Sequence, residues 1–145
     1  MPRTGALLPL SREHHSSLVL ARNIRKVMEG NDLQVCEKAL QAIDEHWHSI
    51  LSRHFAQEEY LMELMKSSLN PKHVARFHME HAQLKKMACQ RPIDRLQNYL
   101  LEFADLLTAH VRFEDRVLFK EMQQHAEIGS IVLPDHFDYE GAPKN

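Results

Sequence analysis

Glycine and proline are scarce in this chain of 145 residues, at four and six copies. They fall at breaks between stretches of helical periodicity, which excludes a β-rich fold with its many turns. Cysteine is scarcer still. Cys36 and Cys89 do not make a disulfide framework and read as small core or boundary residues of a reduced, cytoplasmic protein. No apolar run approaches the roughly 18 residues of a spanning helix, and residues 1–10 lack the apolar stretch of a signal peptide. There is no block of basic residues and the formal net charge is −2, so neither nucleic acid nor an anionic membrane is an implied partner. A Gly-rich phosphate loop and a Ser/His/Asp or Cys/His nucleophile are also missing. The remainder, 43% hydrophobic and 26% charged, is that of one ordinary globular domain. One residue type is abundant: the chain carries eleven histidines, and histidine is the commonest side-chain metal ligand.

Four helical segments are predicted. Ser11 caps the first, which runs to about Glu29, where Gly30 and Asn31 supply a stop. Asp32 starts a long, uninterrupted second helix ending near Ser67. Asn70 and Pro71, a cap followed by proline at the first helical position, restart the chain for a third helix to about Ala88. Pro92 begins the fourth, which ends near Gln124. Residues 1–127 then form one domain and 128–145 a C-terminal tail, with no internal repeat. Short connections make neighbours antiparallel, so the expected fold is all-α: an up-down-up-down four-helix bundle.

The second helix carries an inward stripe of Cys36, Leu40, Ile43, Trp47, Ile50 or Leu51, His54, Glu58, Leu61 and Met65. The fourth repeats the pattern with Leu96, Tyr99 or Leu100, Phe103, Leu106 or Leu107, His110, Glu114, Val117 or Leu118, and Met122. On each, the only ionisable intruders are a histidine and a glutamate four residues apart, about 5–6 Å apart at Cβ on one face. Asp115 lies about 140° from His110 around the helix and Glu114 only about 40°, making Glu114 the inward acid. An unpartnered buried glutamate costs several kcal/mol, and no lysine or arginine shares either stripe. Two such glutamates call for a cation or a protonated carboxylate, and the two His-x-x-x-Glu pairs point to the cation.

The third helix presents His73, Phe77, His81 and Leu84 on its apolar face. His81 stands level with His54 and Glu58 across the turn, His73 is two turns away, and His78 is placed to reach in as an extra ligand. On the first helix, Leu18, Ala21, Ile24 and Met28 turn His14 toward the inside, with His15 as the alternative. Simple hairpin geometry leaves His81 and His110 offset by about 13 Å of helix rise, so the third helix or its linker must extend further than the boundaries above. A single core histidine would ordinarily be a hydrogen-bonded structural residue. Four helices each pointing one inward, two with glutamate at i+4, favour metal. His46, His48 and His125 lie off the stripes, and the lone Glu45/His48 pair at ferritin-like spacing faces outward.

The segments Glu13-His14-His15, His54-Phe55-Ala56-Gln57-Glu58-Glu59, Glu80-His81-Ala82-Gln83-Leu84 and His110-Val111-Arg112-Phe113-Glu114-Asp115 resemble the hemerythrin-like, or HHE cation-binding, family. The resemblance spans about residues 10–124. It implies a hemerythrin-like bundle with two iron ions, oxo- or hydroxo-bridged. His54 and His110 would be terminal ligands and Glu58 and Glu114 bridges, with His81 and one of His14 or His15 completing the shell. Zinc and manganese tolerate the same ligands. Oxygen carriers of the family place a histidine where this chain has Phe77, and an aspartate five residues after the fourth-helix histidine. The pattern is closer to the bacterial branch, linked to sensing of O2 or NO, iron handling and repair of iron centres. The expected ligand is accordingly O2 or NO, bound without turnover. The competing readings are enzyme-like peroxide or NO chemistry, iron donation, or a metal-independent helical interaction module. Oligomeric state does not follow from the sequence.

Overall fold

The computed structural model describes residues 3–29 and 32–136. Among these every regular element is helical and four long helices make up the chain, with no strand. Helix α1 is Leu7–Val27. Helix α2 covers residues 33–65, as α-helical Leu33–His46, a π-helical turn at Trp47–Leu51 and α-helical Ser52–Met65. Helix α3 is Pro71–Cys89. Helix α4 covers residues 96–123, as Leu96–Phe113, a second π turn at Glu114–Leu118, and Phe119–Gln123. No helix among the described residues is long and apolar enough to cross a membrane.

Two starts agree with their predicted caps. The Asp32 carboxylate accepts from Gln34 N at 2.8 Å, and the Asn70 side chain accepts from Lys72 N at 2.9 Å with Pro71 at the first helical position. Two starts differ. Helix α1 opens one turn early, at Leu7, because Pro9 fits a first turn whose N–H groups have no intrahelical acceptor. Ser11 is then interior, and its hydroxyl donates to Asp115 Oδ1 at 3.1 Å instead of capping. Helix α4 opens at Leu96, preceded by Arg95 in the left-handed region with φ 51°. Residues 90–95 are not helical. From His81 to Cys89 is about 12 Å of rise and from Leu96 to His110 about 21 Å. Six non-helical residues easily span the missing 9 Å or so. The two imidazoles meet with ring centroids 4.9 Å apart. Gly30 and Asn31, the expected stop of α1, lie outside the described residues.

The core divides in two. One cluster holds Ala21, Ile24, Trp47, Leu51, Phe55, Leu84, Phe103, Leu107 and Val111. The other holds Leu7, Leu10, Leu61, Met62, Met65, Phe77, Leu118 and Phe119. Along α1 and α3 the second cluster comes first, and along α2 and α4 it comes last. On every helix the inward histidine or glutamate falls where one cluster hands over to the other, so the polar groups form a layer between two apolar plugs.

Some of the described residues beyond α4 pack on the bundle. Ile128 is buried in the second cluster, Ile131 and Leu133 pack against it, and Gln57 Nε2 donates to Pro134 O at 2.9 Å. Gly5 makes this possible. Its φ is +56°, and a Cβ there would sit 2.8 Å from Ile128 O. Gly5→Ala should therefore destabilise the protein by at least about 1–2 kcal/mol in urea unfolding, the left-handed penalty alone, with the backbone clash adding to it.

Candidate metal centre

The π turn of α2 lies just before His54, and that of α4 begins at Glu114. Such wide turns re-phase a helix and recur at functional sites. Six side chains converge in the layer between the two core clusters: His14 from α1, His54 and Glu58 from α2, His81 from α3, His110 and Glu114 from α4. All six are buried, the glutamates at 1% and 0% exposure.

Their ligand atoms sort into two groups that share both glutamates. One is His14, His54, Glu58 and Glu114; the other is Glu58, His81, His110 and Glu114; within each the donor atoms lie within 4.8 Å of one another. The carboxylates are split between the groups. Glu58 Oε2 lies 3.0 Å from His54 Nε2 and 3.4 Å from His14 Nε2, while its Oε1 lies 3.0 Å from His81 Nε2. Glu114 Oε1 lies 3.0 Å from His14 Nε2, and its Oε2 lies 3.2 Å from His110 Nε2 and 3.6 Å from His81 Nε2. Each carboxylate thus turns one oxygen to each group.

The far side of every ring is also engaged. His54 Nδ1 lies 3.1 Å from Glu13, His81 Nδ1 2.9 Å from Glu59, His110 Nδ1 2.9 Å from Glu80 and His14 Nδ1 3.1 Å from Asp115. An ionised carboxylate only accepts, so each Nδ1 donates to its acid, and each Nε2 is left facing Glu58 or Glu114 with either a second proton or a lone pair for a cation. The four contacts close a ring, in which every helix lends an acid to the histidine of the next and α4 returns to α1.

Lone pairs of four Nε2 atoms facing four carboxylate oxygens repel unless something positive lies between them. His110 Nε2 and both oxygens of Glu114 are buried and make close contacts at 3.0–3.2 Å, but none of these contacts is aligned as a hydrogen bond. Protons are one remedy. Burial opposes a charged His14, but Asp115, Glu114 and Glu58 outweigh it and push its pKa up to about 12. Burial opposes charge on His54 too, and Glu58 and Glu13 carry it up to about 9. His81 and His110 are raised against burial by the same carboxylates. Glu114, held up by burial and by Glu58, is drawn down to about 2 by His110 and His14. Divalent cations are the other remedy. Imidazole nitrogens with shared carboxylates suit iron, zinc or manganese, and all six groups fit such a pair.

Two predicted candidates are not brought to the site. His15 and His78 are exposed on the outer faces of α1 and α3, about 100° and 60° around from His14 and His81. Phe77 occupies the inward position instead, buried, with its ring centroid 4.0 Å from that of His81. His46, which lies off the inward stripe, is partly buried, with Nε2 2.9 Å from the Ser17 hydroxyl. His73, set aside as too distant, pairs with Glu121 at 2.9 Å.

Sequence reasoning missed the ring of acids, although a signal for it existed. Every one is the chain neighbour of an inward residue: Glu13 before His14, Glu59 after Glu58, Glu80 before His81, Asp115 after Glu114. A step of 100° turns such a residue toward the adjacent helix. The two halves of the chain carry the same device, Glu-His on one helix and His-x-x-x-Glu-acid on the next, too sparse to register as a repeat. No protein-family model, no curated protein and no solved structure matches the chain.

Proposed function

We propose that this is a hemerythrin-like protein of the bacterial branch, an antiparallel up-down-up-down bundle holding two iron ions for the binding or sensing of O2 or NO. The alternation of the two core clusters from helix to helix supports the antiparallel order. The observation that carries the metal reading is the split of Glu58 and Glu114, each with one oxygen toward each histidine pair. His14 and His54 would hold one ion, His81 and His110 the other, and the glutamates would bridge. Four protein donors per ion would leave room for a diatomic ligand, and iron held there in its reduced state would supply the electrons for binding it. The chain's own residues exclude water: Phe55 stacks on His81 at 3.9 Å between centroids, Phe77 closes its other side, and Phe119 stacks on His14 at 5.4 Å. Such a role fits a cytoplasmic protein that engages neither nucleic acid nor membrane.

Protein purified without oxygen should contain about two irons per chain, and exposure to air should add near-ultraviolet and visible bands. Stoichiometric zinc, or no metal, sinks the gas-binding reading.

A further inference from the structure

The four acids behind the histidines are not equivalent. Glu80 is nearly enclosed, its side chain 7% exposed. One oxygen accepts from His110 Nδ1 at 2.9 Å and the other from Arg76 Nε at 3.1 Å, while the Arg76 guanidinium lies 4.3 Å from the centre of the Phe113 ring. Arg76 is therefore anchored behind Glu80. Glu13 and Asp115 are intermediate, at 25% and 30% exposure. Arg53 pairs with the free oxygen of Glu13, and Ser11 donates to Asp115 Oδ1 at 3.1 Å. Glu59 is 44% exposed and contacts His81, and among the described residues no Arg or Ser stands behind it. Water competes with that contact, so it orients its histidine least. His81 has another restraint: it lies between Phe55 and Phe77, at 3.9 Å and 4.0 Å between centroids. No aromatic ring comes that close to His110, whose nearest phenylalanine centroid, that of Phe55, is 5.9 Å away.

We infer that Glu80, buttressed by Arg76, is the positioning residue that fixes His110 for its metal, whereas Glu59 is dispensable because Phe55 and Phe77 hold His81. The inference rests on the metal-centre reading and adds a rank order to it. An imidazole whose Nδ1–H is held by a carboxylate is fixed in tautomer and angle and is a stronger donor at Nε2. Losing such a partner typically weakens metal binding about 10- to 100-fold.

The test is titration of the metal-free protein with cobalt(II), in competition with a chelating dye, with the visible ligand-field bands recorded. Wild type should take up about two cobalt ions, in line with the paired donor groups. Glu80→Ala should weaken one of the two binding steps about 10- to 100-fold and shift the bands of that ion. Glu80→Gln, whose amide oxygen still accepts from Nδ1 but whose NH2 cannot accept from Arg76, should recover part of the affinity and fall between wild type and Glu80→Ala. Glu59→Ala should cost less than about 10-fold. If Glu80→Ala does not fold, Arg76→Ala reads the same contact by freeing Glu80 at the surface, and it must weaken the same step. Two ions bound by wild type with unchanged affinity and bands in the Glu80 and Arg76 variants overturn the inference alone. So does a Glu59→Ala loss equal to or greater than that of Glu80→Ala. Failure of wild type to bind cobalt overturns the metal centre and this inference together.

Discussion

Glu58→Ala should abolish binding of the metal pair and erase the stabilisation that metal confers. Glu58 is the most connected acid of the site, within 3.4 Å of histidines on three different helices. Its removal opens both donor groups at once, because each of its oxygens belongs to a different group. A ligand that binds the folded state alone at 1,000 times its dissociation constant contributes about 4 kcal/mol, and two ions contribute twice that. Breaking a buried charge cluster costs the metal-free protein a further 3–5 kcal/mol or so, since His14, His54 and His81 lose their common anion. Glu59→Ala, one residue along on a half-exposed side chain, is the internal control. Melting curves with metal and with chelator give the answer. Wild type should separate widely between the two, and Glu58→Ala should melt low in both. Equal metal stabilisation in wild type and Glu58→Ala would remove Glu58 from any metal site.

How much of this was readable beforehand depends on the range of each interaction. His54 with Glu58, and His110 with Glu114, stood out because both members lie on one helix and helical periodicity alone places them on one face. His14 rather than His15 followed from the apolar residues after it for the same reason, and His14 is the buried one. What lay between helices was less legible. The level of His81 against His110 depended on residues 90–95, whose course the turn signal at Pro92 misassigned as helix. The π turns at Trp47–Leu51 and Glu114–Leu118 carry no simple sequence signature, yet they displace everything beyond them by a fraction of a turn. A wheel drawn at 100° per residue still ranked Glu114 over Asp115 as the inward acid, as the structure has it. In the structure Asp115 reaches across to His14, and its neighbour Glu114 remains inward. The acid ring escaped notice for a related reason: each contact joins two helices, and only the three-dimensional register reveals which histidine an acid meets.

The metal-free and metal-loaded proteins should respond to pH in opposite directions. In the metal-free chain the histidines are held as cations. His54 titrates near 9 when folded against an ordinary 6.5, so its contribution is complete below about pH 6.5 and is lost as pH rises through 9; His14, near 12, follows at higher pH. Glu114 shifts the other way, from 4.5 to about 2, so its contribution is present above pH 4.5 and lost as pH falls toward 2. Metal-free stability should thus peak between about pH 4.5 and 6.5 and decline through the alkaline range. Metal reverses this, because a ligating imidazole must be unprotonated at Nε2. Loading expels the protons that the histidines held, so apparent affinity should rise with pH across the neutral range and acid should strip the site. Melting temperatures from about pH 5 to 10, with chelator and with metal, check both limbs, and a pH indicator in weak buffer counts the protons released on loading. Parallel curves with no proton release would mean that the same four histidines do not hold protons and metal in turn, and the centre would then be a set of structural ion pairs. Diverging curves, with acidification on loading, tie the buried charges of Glu58 and Glu114 to cation binding.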